Sequence, residues 1–183
     1  MDRASEQLKY RDCYQAPNYR MGELRMQDAR RDLESCSRGS YLDIGCGRGE
    51  MLAYAESIGF TEVKGVEVVP TLVDGERVVA GEAHDLPFPD NSFDVVSLFD
   101  VIEHLLPGDD EAVCREMARV ARKHVVLTAN NKPSHCPITK ADLHINRRPY
   151  EEWDALFREW FPGNVTWLKG NRTYVSPGWR IDL

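Results

Sequence analysis

The sequence predicts an α/β fold built on a seven-stranded, mostly parallel sheet with helices on both faces. From residue 40 onward, short apolar runs alternate with helical segments, which is typical of βαβ units. A glycine-rich turn stands directly between the first of these runs and the helix after it. The last two runs lie close together near the C-terminus and are suited to an antiparallel hairpin.

The elements are predicted in the following order. The helices span about 21–35, 49–57, 110–121 and 149–160. The strands span about 41–44, 63–68, 77–83, 93–98, 124–128, 164–168 and 173–183, the last interrupted at Pro177-Gly178. Only residues 70–76 separate the second strand from the third, whereas a crossover normally takes about a dozen residues. We therefore predict a shortened, irregular crossover at this point.

The 183 residues contain no repeat and no linker-like stretch, so we expect a single domain, 1–183. Residues 1–37 are polar and are predicted to form an N-terminal helical cap that covers one edge of the sheet. Five arginines make this the most basic region: Arg20, Arg25, Arg30, Arg31 and Arg38. Its alternative role is that of a lid, or of a contact for an acidic acceptor.

Composition excludes several classes of protein. The net charge of −7 argues against a nucleic-acid partner, because proteins that bind nucleic acid usually present a basic face. No apolar run approaches the roughly 18 residues that a membrane span needs. The charged N-terminal segment lacks the apolar core of a secretory signal, so we expect a cytoplasmic protein without a membrane partner.

The five cysteines include no CxxC pair, and their number is odd. Neither feature fits a disulfide framework or a structural zinc site. We expect reduced and mostly buried thiols.

The most informative segment is YLDIGCGRGE at residues 41–50. Glycines in a turn after a strand permit positive φ and let the backbone approach a ligand closely. The spacing is G-x-G-x-G, not the G-x-G-x-x-G of dinucleotide sites, and Asp43 stands two positions before the first glycine. A carboxylate so close would repel a phosphate but suits a cationic ligand.

This string resembles motif I of the class I S-adenosylmethionine-dependent methyltransferase superfamily. The resemblance implies S-adenosyl-L-methionine as the cofactor. It also implies that Asp43 and the following turn contact the amino-acid part of that cofactor. The residues of the turn concerned are Gly45, Cys46, Gly47 and Gly49.

Further segments resemble the same superfamily. Glu67 ends the second strand, where the resemblance implies that a carboxylate accepts hydrogen bonds from both ribose hydroxyls. The segment GEAHDLPF at 81–88 is similar to the adenine-lining GDAxxLPF, which implicates Glu82, Ala83 and His84, with Asp85 as the alternative to Glu82.

The segment FDVVSLFDVIEHL at 93–105 resembles the ubiquinone- and menaquinone-biosynthesis branch of the superfamily, and it places Phe99 at the cofactor. The four motifs lie in order across residues 41–105.

Asp100, Glu103 and His104 have i, i+3, i+4 spacing, which would place them on one face of a helix. Oxygen and imidazole ligands on one face could hold a divalent cation. We favour a simpler interpretation, in which Glu103 and His104 cap the helix and orient the cofactor pocket, and we expect no metal. His104 is also a candidate general base.

The long polar segment 129–150 is predicted to be an acceptor-side loop, because long connections of this kind are often functional. His144 is the first candidate for a catalytic base and His135 is the second. The alternative is a flexible surface loop without a role in the reaction.

These features predict methyl transfer to an oxygen or nitrogen of a small-molecule acceptor. The chain lacks the Asn/Asp-Pro-Pro-aromatic string of amino-directed methyltransferases after the fourth strand. Arginines in the loop and in the N-terminal cap suggest an anionic acceptor. Two alternatives stay open: a non-catalytic cofactor-binding module, and a methyltransferase that acts on RNA or protein.

Overall fold

The structure is a computed structural model that describes residues 3–169 and 177–183. The helices in these residues are α1 (Arg3–Cys13), α2 (Glu23–Glu34), α3 (Glu50–Ser57), α4 (Asp110–Val120) and α5 (Tyr150–Trp160). The strands are β1 (Ser40–Ile44), β2 (Glu62–Glu67), β3 (Val78–Ala80), β4 (Phe93–Leu98), β5 (Ala121–Thr128), β6 (Asn164–Leu168) and β7 (Gly178–Asp182). Short 3₁₀ turns span Pro70–Leu72 and Ile102–His104.

The strands form one sheet in the order β3-β2-β1-β4-β5-β7-β6. The first five strands pair in parallel, and β7 runs antiparallel between β5 and β6. This confirms the predicted fold, with its C-terminal hairpin and its shortened crossover between β2 and β3. The strand order reverses between β1 and β4, which is where open α/β sheets bind ligands.

Helices cover both faces of the sheet. On one face, Met117 of α4 and Trp153 of α5 pack in a core with Val96 of β4. On the other face, Leu33 of α2 and Leu52 of α3 pack in a second core. Because β1 and β4 are covered on both sides, their side chains are almost all buried, as expected of central parallel strands.

The predicted position of α2 over a sheet edge is wrong. Met26, Ala29 and Leu33 follow each other at helical spacing and pack in one core with Val95 and Val126, which belong to the central strands β4 and β5. The helix therefore lies on a face of the sheet, with Arg31 on its exposed side and Arg25 directed to Asp100.

Helix α1 was not predicted by the sequence pattern. It is polar overall, yet its last residue, Cys13, is fully buried. Cys13 packs with Cys136 and Leu143, which lie in the segment between β5 and α5. Thus α1 is attached to the predicted acceptor-side loop and not to the sheet.

The remaining differences concern the ends of elements. Strand β5 begins at Ala121, directly after α4, because the chain passes from helix to strand without a loop. The predicted start of the last strand at residue 173 lies outside the described residues. Within the part of the chain that is described, no helix has the length and apolar character needed to span a membrane. All five cysteines are buried and free, as predicted.

Candidate active site

A cavity of about 260 Å³ lies at the carboxyl ends of β1, β2 and β4, next to α1. Most of the predicted cofactor residues line it, and we call them the cofactor region: Asp43, Gly45, Cys46, Gly47, Glu67, Glu82, Ala83, His84 and Phe99. Other lining residues form what we call the histidine region: Tyr10, Asp100, His104 and His144. The structure thus brings nine of the ten predicted cofactor residues and two of the three predicted bases to one cavity. Gly49 is the exception in the first group, because it caps α3 outside the lining.

The turn after β1 requires its glycines. Gly45 and Gly47 have φ values of +70° and +55°, which L side chains rarely adopt. A Cβ at Gly47 would lie 2.5 Å from the hydroxyl oxygen of Tyr14, and one at Gly45 would lie 2.7 Å from Val101. The turn is therefore packed closely between α1 and the segment that follows β4.

Asp43 is held in a buried chain of hydrogen bonds. The register pairs it with Ser97 of β4, whose hydroxyl donates to Asp43 Oδ1 at 2.6 Å. The Tyr41 hydroxyl lies 2.6 Å from Ser97 Oγ and supplies the next donor, since the serine proton is already used. Burial raises the pKa of Asp43 to about 7, although these two hydroxyl groups oppose the shift. A cationic ligand beside Asp43 would favour its ionised form.

Glu67 fixes the turn from the neighbouring strand. Its Oε2 accepts a hydrogen bond from Gly47 N at 2.9 Å, and its Oε1 accepts from Val68 N and Val69 N at 2.8 and 3.0 Å. Burial nevertheless raises its pKa, against the effect of these three donors. A carboxylate has about four acceptor positions. One position therefore remains for a ligand hydroxyl in this arrangement, where two were expected.

The predicted adenine residues lie at the outer part of the cofactor region. Glu82 Oε1 accepts a hydrogen bond from the Gln7 side chain of α1 at 3.1 Å, and His84 Nδ1 lies 3.4 Å from Glu82 Oε2. Asp85, the alternative to Glu82, is outside the lining. The side chain of Glu82 thus faces both the cavity and α1.

The predicted helix across Asp100, Glu103 and His104 does not form. Asp100 has a φ of +54°, and only Ile102–His104 make a single 3₁₀ turn. The strained Asp100 is held by Thr128, whose hydroxyl accepts from its N–H at 2.8 Å and donates to its carboxylate at 3.0 Å. Arg25 of α2 lies 2.8 Å from the other carboxylate oxygen. Strain of this kind is common at functional sites.

His104 and His144 face each other, although 40 positions separate them in the sequence. Their rings are perpendicular, with centroids 4.6 Å apart. His144 Nδ1 lies 2.6 Å from the Lys132 carbonyl, which can only accept, so Nδ1 carries the proton and Nε2 is free to act as a base or ligand. Burial lowers the pKa of His144, and it lowers that of His104 to about 3. Both rings are therefore neutral near pH 7.

Segment 129–150 is anchored by buried polar contacts. The Asn146 N–H donates to the Glu103 carbonyl at 3.0 Å, and the Asn146 side chain donates to Asp110 at 3.1 Å. Arg148 lies 2.7 Å from the same Asp110 oxygen. These contacts hold the segment against the start of α4, so that His144 faces the cavity.

The structure does not bring His135 to the cavity. Its side chain is 55% exposed and pairs with the exposed Asp142 at 3.0 Å. Residues of α1 instead complete the site, which sequence analysis missed. Tyr10 of α1 and Tyr14, in the turn that follows it, are four positions apart, and this pair of aromatic residues in a polar segment is the signal that could have indicated a buried side.

Comparison with known proteins adds to this geometry. Residues 42–129 match the family described as a methyltransferase domain. The chain is 34% identical over 93 residues to ajmaline N-methyltransferase of Rauvolfia serpentina, and 32% identical over 106 residues to demethylmenaquinone methyltransferase of Bacillus licheniformis. The chain has a class I S-adenosylmethionine-dependent methyltransferase domain.

The matches cover 44% and 50% of this chain but only 31% and 45% of these two relatives, respectively. The PH0226 protein of Pyrococcus horikoshii has a similar fold, with a TM-score of 0.66 and 20% identity. That alignment covers 86% of this chain and 90% of the other.

The cofactor of this methyltransferase superfamily is S-adenosylmethionine, and the cofactor region fits it. The buried Asp43 suits an ammonium group, and Glu67 retains an acceptor position for a ribose hydroxyl. The one arginine of the turn, Arg48, donates to the carbonyl groups of Tyr14 and Ala16. No basic side chain of the turn is therefore directed at a phosphate, and this cofactor has none.

Proposed function

We propose that this domain transfers the methyl group of S-adenosylmethionine to an oxygen or nitrogen of a small-molecule acceptor. The observation that carries the proposal is that the cofactor region and the neutral histidine pair line the same cavity. When bound, the cofactor supplies a methyl group that its sulfonium already activates. The chain must then position the acceptor and handle its proton.

His144 is the group best suited to that proton. Its Nδ1–H is fixed on the Lys132 carbonyl, and its Nε2 therefore presents a lone pair. His104 is a weaker base, since burial holds its pKa at about 3. We assign proton removal to His144 and positioning to His104, and we exclude exposed His135 from this role.

The size and charge of the cavity restrict the acceptor. The volume of about 260 Å³ lies below the usual range for ligand sites, and the cofactor must share it, so only a small acceptor or acceptor group fits beside the cofactor. The lining carries seven carboxyl side chains against three guanidinium groups. This balance favours a neutral or cationic acceptor over the anionic one suggested by the arginines of the sequence.

The test has two stages. Calorimetry with S-adenosylmethionine and with its demethylated product should show binding at one site per chain. Transfer of a labelled methyl group should then be measured on a panel of small alcohols, phenols and amines, with His144→Gln expected to reduce kcat about 100-fold. Binding without transfer to any of these acceptors would support the non-catalytic module instead.

A further inference from the structure

Glu103, which lies directly behind the histidine pair, is an unusual residue for a protein interior. It is 0% exposed, and neither oxygen of its carboxyl group has a hydrogen-bond partner of ordinary geometry among the described residues. Burial raises the pKa of Glu103 well above its usual value, and the main-chain N–H groups of Glu103 and Asn130 oppose that rise only in part. A buried carboxyl group without partners is costly, so such groups are normally paired, protonated or bound to a cation. The Nε2 atom of His144 lies 3.9 Å from Glu103 Oε1.

Glu103, His104 and His144 each offer a ligand atom, and these atoms all lie within 4.8 Å of one another. A cation with ligands at about 2.1 Å would require separations of no more than about 4.2 Å. The distance of 3.9 Å between His144 Nε2 and Glu103 Oε1 already meets this limit. A change of side-chain torsion angles that brings the atoms about 0.6 Å closer would complete the set.

The Nδ1 atom of each imidazole ring has a hydrogen-bonding partner, as is usual for histidines that bind a metal through Nε2. His144 Nδ1 donates to the Lys132 carbonyl at 2.6 Å. His104 Nδ1 lies 2.8 Å from the Tyr10 hydroxyl, which in turn lies 3.5 Å from the Leu143 carbonyl. Partners at Nδ1 fix the orientation of a ligating histidine and leave Nε2 for the metal.

The charges around this cluster also leave room for a cation. The carboxyl groups of Asp100 and Glu103 lie close to one guanidinium group, that of Arg25, which is paired with Asp100 at 2.8 Å. A divalent ion would find a carboxylate in Glu103 that no described arginine or lysine neutralises by direct contact. Two imidazoles and one carboxylate suit Zn²⁺, Mn²⁺, Co²⁺ or Fe²⁺ better than Ca²⁺ or Mg²⁺.

We propose that Glu103, His104 and His144 bind one divalent transition-metal ion, with an open position towards the cavity that takes a hydroxyl group of the acceptor. This deepens the proposed function and rests on it for the identity of the reaction. The acceptor is then an alcohol or phenol. In this arrangement His144 Nε2 binds the metal and does not remove the acceptor proton itself. The metal instead promotes loss of that proton.

The chemistry balances without another reactant. Coordination makes the acceptor hydroxyl more acidic, and its proton passes to solvent water as the O–H bond breaks. A lone pair of that oxygen forms the new bond to the methyl carbon. The bond from this carbon to sulfur breaks at the same time, and its electron pair stays on the sulfur.

The experiment measures metal binding directly, on full-length protein freed of metal with a chelator. Co²⁺ is titrated while its visible absorption is followed, and Zn²⁺ is titrated in competition with a coloured chelator. We expect one ion per chain. Glu103→Gln and His144→Gln should each weaken binding by more than about 100-fold, and Tyr10→Phe by about 10-fold, as is usual for a group that orients a ligand.

His135→Gln is the matched control, because His135 is an exposed histidine of the same segment with a carboxylate partner. It should bind the ion as wild type does. Thermal melting and binding of the demethylated cofactor in every variant will show that the domain is folded. Loss of binding in His135→Gln but not in His144→Gln would place the ion at the surface and overturn the proposal.

Methyl transfer measured beside metal binding separates the two proposals. Full transfer in chelator, with no ion bound, would overturn the metal site and leave the proposed function intact. Tight binding that depends on Glu103 and His144, without transfer to any hydroxyl acceptor, would support the metal site and contradict the function. Transfer that is lost in chelator and restored by Mn²⁺, Co²⁺ or Zn²⁺ would support both.

Discussion

The two regions of the cavity are built in different ways. The cofactor region depends on the backbone: positive φ at Gly45 and Gly47, and main-chain donors around Glu67. The histidine region depends on side chains from distant parts of the chain, with Tyr10, His104 and His144 in contact across more than 90 positions. The first region recognises a ligand through a local motif, whereas the second is assembled only by the fold. Substitutions in the first region should therefore lower cofactor affinity, and substitutions in the second should lower kcat, without affecting each other strongly.

The largest expected effect concerns the cofactor region. Glu67→Ala removes the acceptor of three main-chain N–H groups and, in the proposed function, of a ribose hydroxyl. Hydrogen bonds to charged groups contribute roughly 1.5–3 kcal/mol each, so affinity for S-adenosylmethionine should fall about 100-fold or more. Calorimetry measures the affinity. The affinity of Glu67→Gln, which keeps one acceptor oxygen, should lie between those of wild type and Glu67→Ala. An affinity within fivefold of wild type would contradict this role.

The second effect concerns the other region. Asp110→Ala removes the buried partner of Asn146 and Arg148, and thereby loosens segment 129–150 and displaces His144. Small displacements of catalytic groups cost up to about 100-fold, so we expect kcat to fall between about 10- and 100-fold. Cofactor affinity should stay within about twofold. Arg115→Ala, which breaks an exposed pair on the same helix, is the control and should change neither value. A parallel loss of cofactor affinity would mean that the two regions are not independent.

A smaller effect links the cofactor region to pH. With a pKa of about 7, Asp43 is mostly protonated at pH 6, and the ammonium group of the cofactor should ionise it. Binding at pH 6 should therefore release a proton, and affinity should increase up to about tenfold per unit as the pH rises towards 7. Calorimetry in two buffers of different ionisation enthalpy measures that proton. Asp43→Asn should abolish the release that is due to this group, and an unchanged release would assign it elsewhere.

The same group affects the stability of the ligand-free protein. Its pKa is raised on folding from 3.8 to about 7. Its contribution to stability is therefore complete below about pH 4 and is lost as the pH rises through 7. Urea unfolding of wild type against Asp43→Asn should show the two curves diverging over this interval, with the variant losing less stability.

The smallest effect tests His135, the other predicted base of segment 129–150. His135→Ala should leave kcat and cofactor affinity within about twofold of wild type, because the side chain is exposed and outside the cavity. Labelled methyl transfer beside His144→Gln gives the comparison. A loss as large as that of His144→Gln would show that segment 129–150 rearranges when ligands bind.

Sequence analysis correctly predicted that the residues of the cofactor region lie together, because its signals are local. Asp43, the glycines and Glu67 lie at the ends of strands, and their spacing alone places them at one edge of a parallel sheet. It could not predict the helical turn after β4 correctly. Regular spacing suggested a helix, but Asp100 adopts positive φ because Thr128 and Arg25 hold it there. Those partners come from other elements and leave no trace in the local pattern.

The histidine pair shows the same limit. His104 and His144 were each candidates on their own, yet nothing in the sequence indicates that their rings touch. The contact depends on Asn146 and Arg148, which bind the start of α4, and on α1, whose polar sequence concealed its buried side. The contact between the two rings therefore depends on long-range packing, which a local sequence motif does not encode.

The position of α1 has a thermodynamic consequence. The helix contacts the cofactor region through Gln7, and the histidine region through Tyr10. A ligand that moves α1 at one region would also move the side chain that the helix presents to the other. Any linkage between donor and acceptor binding that passes through α1 is then a single coupling free energy, equal in both directions. The eleven residues of this helix are thus a described element through which two otherwise separate regions would respond to each other.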